Sequence, residues 1–304
     1  MYDSVLETIG SPLVRIDGPD GTTVAAKLEG RNPGGSAKDR PALEMITAAE
    51  RAGHIEPGGR LVEATSGNTG IGLAFVAAAR GYDLTIVMPA SMSPERRRLM
   101  RAYGATVELV DGDVGEANRR AEAIAADEGA FHISQFTNPN NPEAHYRTTG
   151  PEIADQVEGR TVDAFVAAVG TGGTISGTAR YLREEYPDLT VVGVEPAANP
   201  FVSTGEPAPD DYQGMGPSFV PETLDVEQID AVESVALEDA ERECRRLAST
   251  EGILVGQSSG AASVAARRVA ERLAADPDGP GEPLIVTIFP DSGERYLSTG
   301  LFDD

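Results

Sequence analysis

The amino-acid sequence predicts an α/β protein made of two three-layer α/β/α domains with mainly parallel, twisted sheets. Two observations predict it. Short aliphatic or β-branched runs alternate with helix-length amphipathic segments along the chain, the pattern of strands layered between helices. The alternation breaks at Asn138-Pro139-Asn140-Asn141-Pro142, where turn chemistry separates a first α/β series from a second. A length of 304 residues suits two such domains.

Taken in order, residues 24–29 are β-branched and aliphatic enough for a strand, with Lys27 as a charged side chain on it and no catalytic role. Residues 60–64 read as a strand, 68–80 as an Ala-rich helix and 83–88 as a second strand of the same series. A helix over about 93–103, a strand at 106–110 and a helix over about 115–128 complete the first series. In the second, 163–169 is apolar enough for a buried central strand, 174–185 is helical and 190–195 is the next strand. Residues 196–221 are rich in Pro, Gly and Asp with little periodicity, so a mobile loop is expected there. Helices near 237–251 and 259–275 follow, and 283–289 closes the sheet.

Composition narrows the function classes. Forty-nine acidic against 25 basic residues leave a formal charge of −24, which repels nucleic-acid phosphates. At ~1 M ionic strength the Debye length is only ~3 Å, so such a surface becomes tolerable in salt. Few lysines, many carboxylates and a small aromatic fraction read as halophilic, from a salt-accumulating cytoplasm. No apolar run approaches the ~20 residues of a membrane span, since the best, 71–79, stops at Arg80. The N-terminus lacks the basic and apolar regions of a signal peptide, and a cytoplasmic location is expected. A single cysteine, Cys244, excludes an intrachain disulfide; it lies in a helical pattern and reads as a packed thiol. His54, His132 and His145 are scattered without ligand spacing, so no metal site is expected.

The chemistry starts from Lys38, one of two lysines in a chain that otherwise uses arginine, within Asn32-Pro33-Gly34-Gly35-Ser36-Ala37-Lys38-Asp39-Arg40. Arginine cannot serve as an amine nucleophile, whereas a desolvated lysine can lose its proton and form a Schiff base. Pyridoxal 5′-phosphate is therefore the first cofactor to consider. Thr65-Ser66-Gly67-Asn68-Thr69-Gly70 lies between a strand and a helix, where backbone N–H groups and hydroxyls suit a carboxylate or a plain helix cap. Gly170-Thr171-Gly172-Gly173-Thr174 occupies the same kind of junction and can hold a phosphate on backbone N–H groups or form a generic tight turn. Its spacing is neither that of a dinucleotide fingerprint nor that of a Walker loop. Gly256-Gln257-Ser258-Ser259-Gly260 and Gln135-Phe136-Thr137-Asn138-Pro139 read alone as a helix cap and a surface loop.

These segments, in this order, resemble the fold-type II pyridoxal phosphate enzymes, and within them the cysteine synthases (O-acetylserine sulfhydrylases), closer to the B type. The resemblance runs from Ile9-Gly10-Ser11-Pro12-Leu13-Val14 to Ser292-Gly293-Glu294-Arg295 and on to Gly300, nearly the whole chain. It implies a smaller mobile domain at 36–146, a larger one from 1–35 and 147–304, and pyridoxal phosphate in the cleft between them. It implies further that Lys38 carries the cofactor as a Schiff base, that Asn68 bonds its 3′ oxygen, that Gly170, Thr171, Gly172, Gly173 and Thr174 cradle its phosphate, and that Ser258 faces the pyridine nitrogen. Thr65, Ser66, Thr69 and Gln135 are then expected to receive the substrate α-carboxylate.

The activity implied is conversion of O-acetyl-L-serine and sulfide to L-cysteine and acetate by β-replacement through an aminoacrylate, in a homodimer that can partner serine acetyltransferase. Alternatives are O-phosphoserine or thiosulfate-using S-sulfocysteine sulfhydrylases, cystathionine β-synthase, serine or threonine dehydratases, and a non-catalytic pseudoenzyme. Tyr146-Arg147-Thr148-Thr149-Gly150-Pro151-Glu152-Ile153 and an end at Asp304 without a regulatory extension favour cysteine synthase over cystathionine synthase. Residues 196–221 hold no arginine for a phosphorylated donor, though Arg97 or Arg295 could supply one. The phosphate loop departs from the Gly-Thr-Thr-Gly-Thr common among larger B-type relatives.

Overall fold

The computed structural model describes residues 1–303. In chain order, β1 (Leu13–Ile16) and β2 (Thr23–Leu28) precede α1 (Asp39–Arg51), β3 (Arg60–Ala64), α2 (Asn68–Arg80), β4 (Asp83–Pro89), α3 (Pro94–Ala102), β5 (Thr106–Val110), α4 (Val114–Glu128) and β6 (Phe131–His132). Next come α5 (Asn140–Arg147), α6 (Thr149–Gln156), β7 (Ala164–Ala168), α7 (Gly173–Glu185), β8 (Thr190–Pro196) and α8 (Phe201–Thr204). The remainder is β9 (Ala231–Val235), α9 (Leu237–Arg246), α10 (Gln257–Ala275) and β10 (Leu284–Phe289).

The chain forms two compact units: Met1–Ile9 with Asn32–Ala144, and Gly10–Arg31 with the chain from His145 onward. The first nine residues fall with the smaller unit, as residues 32–35 do, and not with residues 10–31; Leu6 and Ile9 pack into its core. In that unit a parallel sheet runs β5-β4-β3-β6. Side chains alternate across a strand. Leu61, Ile86 and Met88 accordingly meet Met45, Ile46 and Ile71 of α1 and α2 on one face, while Val62, Ala64 and Val87 meet Ala117, Ala121 and Ile124 of α4 on the other. Each such fully buried aliphatic side chain contributes roughly 1.5–3 kcal/mol.

The larger unit has the order β1-β2-β10-β7-β8-β9, with β1 antiparallel to β2 and every other pair parallel. The last strand does not sit at a margin. All six residues of β10 are buried, so it inserts centrally, where both of its faces are covered. Val166, Val192 and Ile285 pack on Ala240, Ala261 and Ala265 of α9 and α10, whereas Phe165, Val191 and Ile288 pack on Ile153, Ile175 and Leu182 of α6 and α7. Lys27 on β2 is fully buried. Its ammonium lies 2.7 Å from Glu152 Oε2 and 2.8 Å from Gln156 Oε1 on α6, and it also donates to the Ser11 carbonyl. The second lysine is therefore a structural ion pair inside this unit.

Two segments differ from expectation. The helix expected to 251 is α-helical only to Arg246, after which Leu247–Glu251 widens into a π turn. There the Ser249 and Thr250 hydroxyls donate back to the Arg245 and Arg246 carbonyls, a competition that loosens helices. The 196–221 segment contains α8 and is cross-tied by buried Asn199, which donates to Asp210 (2.8 Å) and accepts from the Ala208 N–H (2.8 Å).

Candidate active site

Each sheet has one strand flanked on both sides by later strands: β3 lies between β4 and β6, and β7 between β8 and β10. In parallel sheets the crevice beyond the carboxyl end of such a strand is where ligands bind. Residues 65–70 leave β3 and 170–174 leave β7, so both glycine-bearing segments stand at these switch points and both open a helix.

In the smaller unit, Gly67 precedes α2, and its N–H donates to Thr65 Oγ1 at 3.2 Å. Thr65 and Thr69 are buried, while Ser66 and Asn68 are half-buried. Thr69 Oγ1 donates to Gln135 Oε1 at 2.6 Å, which brings the expected carboxylate residues of the two segments together. Lys38 precedes α1, its N–H donating to Ser36 Oγ at 3.2 Å. The side chain retains some accessible surface, but protein surrounds it densely enough that desolvation pulls the amine from the ordinary ~10.4 down to about 8. Gly72 of α2 packs directly on this turn, since a Cβ there would lie 2.8 Å from the Lys38 carbonyl oxygen. Lys38 and the α2 turn that begins with Asn68 are thereby held side by side.

In the larger unit, Gly172 has a φ of +82° before α7, and a Cβ there would stand 2.5 Å from Leu224 Cβ; the turn requires glycine on both counts. Thr223 Oγ1 donates to the Thr171 carbonyl at 2.6 Å, tying the loop to 221–225. Buried His145 bridges Thr149 Oγ1 (2.8 Å) and Thr174 Oγ1 (3.2 Å). Ser258 is buried in the first turn of α10. Gly214 joins the two segments: its carbonyl lies 2.7 Å from where a Gly170 Cβ would be, and its own Cβ would lie 3.9 Å from Ser258 Oγ.

A family described as pyridoxal-phosphate dependent enzyme matches residues 6–291. The chain belongs to this family. It is 49% identical over 310 residues to a cysteine synthase of Staphylococcus aureus (strain Mu50 / ATCC 700699), covering 99% of this chain and 98% of that protein. A solved O-ureido-L-serine synthase matches with a TM-score of 0.94 at 43% identity, covering 100% of this chain and 96% of that one. A solved cysteine synthase (OASS) from Entamoeba histolytica also gives a TM-score of 0.94, at 36% identity over 100% of this chain and 91% of that one. The α/β fold is that of a pyridoxal-phosphate dependent enzyme, and pyridoxal phosphate is its cofactor.

The residues present fit that cofactor. Lys38 offers an amine already drawn toward its neutral, nucleophilic form. The 170–174 loop offers a helix N-terminus with three glycines and two threonine hydroxyls, a donor set suited to a phosphate dianion. No helix among the described residues is long and apolar enough to cross a membrane. Among them there is also no cluster of three His, Cys, Asp or Glu side chains that could hold a metal. Cys244 is buried, with its thiol pushed up to about 12 by desolvation, and is inert as a nucleophile. Arg97, a candidate cation for a phosphorylated donor, instead donates to the carbonyls of Ala90 (3.3 Å) and Met92 (3.0 Å).

Sequence reasoning missed Glu63, Gly72, His145 and Thr223. Only Glu63 left a signal, as a charge inside the otherwise apolar run Leu61-Val62-Glu63-Ala64.

Proposed function

We propose that this chain makes L-cysteine by β-replacement: O-acetyl-L-serine loses acetate, and sulfide takes its place on the β-carbon. The single observation that carries the reading is Lys38, whose amine is drawn by desolvation to about 8 and whose backbone packs on Gly72 of the helix that begins with Asn68. Bound pyridoxal phosphate supplies an electron sink for ionising the Cα–H bond and expelling a β-substituent.

The chain supplies the rest. Thr65, Ser66, Thr69 and Gln135 hold the substrate α-carboxylate and so fix the Cα–H bond relative to Lys38. Lys38 Nζ anchors the cofactor, then takes the Cα proton and later returns it. Asn68 hydrogen-bonds the cofactor's 3′ oxygen, and Gly170 to Thr174 hold its phosphate. The Ser258 hydroxyl, unlike a carboxylate, does not keep a pyridine nitrogen protonated, which favours elimination over transamination. O-acetylserine is preferred as donor because 196–221 holds no arginine and Arg97 is engaged with its own loop. We assign the protein, on the resemblance and the acidic composition, to the cytoplasm as a salt-tolerant homodimer, with serine acetyltransferase as a candidate partner.

The test is product analysis of the purified holoenzyme with sulfide and, in turn, O-acetylserine, O-phosphoserine and L-serine with homocysteine. Cysteine and acetate in equal amounts from the first, far faster than products from the others, is expected. Preferential cystathionine formation, or a preference for O-phosphoserine, would overturn the assignment.

A further inference from the structure

Glu63 is 2% exposed on β3. Its Oε2 accepts the Ser134 N–H at 2.7 Å, and the backbone N–H and side-chain amide of Gln135 bond the same carboxyl group. Gln135 Oε1 in turn accepts the Thr69 hydroxyl proton at 2.6 Å. A buried line of three side chains thus runs from the strand to the first turn of α2.

The polarity of that line is set by its inner end. An ionised carboxylate only accepts, so the Gln135 amide points its Nε2 inward and its Oε1 outward, and Thr69 commits its one proton to that oxygen. The outer end is then short of donors for another carboxylate. A protonated Glu63 donates instead: the Gln135 amide turns over, Nε2 donates to Thr69 Oγ1, and the Thr69 proton is freed to point at a ligand. Repulsion between two carboxylates acts in the same direction.

We propose that Glu63 is a positioning residue whose protonation turns the Gln135–Thr69 relay into donors, so that binding of the substrate carboxylate is coupled to uptake of one proton at Glu63. This rests on the reading of Thr65, Ser66, Thr69 and Gln135 as the carboxylate site. Burial pushes the Glu63 carboxyl up to about 8 against the lowering effect of its hydrogen bonds, so the proton is exchanged near neutral pH. The groups around it do not replace that proton. His132 on β6 has Nε2 4.0 Å from Oε2, and burial lowers its pKa, keeping it neutral above pH 7. Glu122 on α4 acts on His132, and β4 sets apolar Ile86 opposite Glu63. Asn68 and Thr69 of α2 are uncharged, and Arg96 on α3 places its Nη1 3.9 Å from where a Gly67 Cβ would be. Lys38, before α1, is tied to the cofactor in the holoenzyme.

The probe is propionate, which has no amine or thiol to titrate, bound to holoenzyme between pH 6.5 and 9.5 and followed by calorimetry in buffers of different ionisation heat. The wild-type dissociation constant is expected to be flat below about pH 7.5 and to climb toward tenfold per pH unit above about 8, the limit for one coupled proton. Uptake of close to one proton should be seen at pH 9. E63Q, whose amide both donates and accepts, should bind propionate with no pH slope and no proton uptake. Thr69→Val, with its fold checked by circular dichroism, should bind roughly tenfold more weakly at pH 6.5 and also lose the slope. A slope in E63Q equal to that of wild type, or wild-type binding without proton uptake, overturns the coupling alone. Absence of saturable propionate binding at pH 6.5 by holoenzyme with normal cofactor absorbance overturns the carboxylate site and the relay with it.

Discussion

Gly72→Ala separates positioning of Lys38 from stability of the fold. The added methyl would sit 2.8 Å from the Lys38 carbonyl oxygen, 3.0 Å from its carbonyl carbon and 3.3 Å from Asp39 N. Carbon atoms in contact prefer about 3.5 Å or more, so the start of α1 must recede by roughly 0.5 Å. Overpacking of this kind costs about 1–3 kcal/mol, of which the better helix propensity of Ala over Gly returns about 1. The net loss of stability is therefore small, on the order of 0–2 kcal/mol, and the thermal midpoint should move by only a few degrees. Catalysis is less forgiving. A reacting amine displaced by a fraction of an ångström loses roughly ten- to hundredfold in rate. The assay is kcat at saturating donor and sulfide beside a thermal melt of the same preparation. A kcat within twofold of wild type, with the melt unchanged or raised, would refute the view that this close approach sets the position of Lys38.

Three further outcomes are expected. Lys38→Ala should abolish turnover and borohydride-stable cofactor attachment, and in the wild-type protein peptide mapping should find the reduced cofactor on Lys38 and none on buried Lys27. Apoprotein should capture pyridoxal phosphate at a rate that rises with pH and levels off above about 8, because burial lowers the Lys38 amine to that value and the neutral form attacks; a rate still climbing at pH 10 would contradict this. Glu152→Ala removes the carboxylate 2.7 Å from the fully buried Lys27 ammonium and should cost about 3 kcal/mol by urea denaturation, whereas a loss below about 1 kcal/mol would show the pair to be dispensable.

Much of the fold was legible because its strands are short apolar runs and its helices carry a period. Residues 60–64, 68–80 and 106–110 match β3, α2 and β5 residue for residue. The central place of β10 could not be read from its order in the chain, since insertion between β2 and β7 is a property of the whole sheet. The π turn after Arg246 and the Asn199 ties in 196–221 are hydrogen-bond competitions that hydropathy does not register. Among the site residues, Lys38 stood out as a rare lysine in a chain rich in arginine, and the glycine-bearing turns stood out by position. Glu63 is hydrogen-bonded to Ser134, 71 positions away, and His145 to Thr174, 29 positions away, relations that spacing cannot reveal.

The most direct measurement is the visible absorbance of the holoenzyme in concentrated KCl as O-acetyl-L-serine and then sulfide are added. A cofactor band that shifts on the first addition with release of one acetate per site, and returns on the second with release of one L-cysteine, is expected. A band indifferent to O-acetyl-L-serine, or one that shifts and is not restored by sulfide, would contradict it.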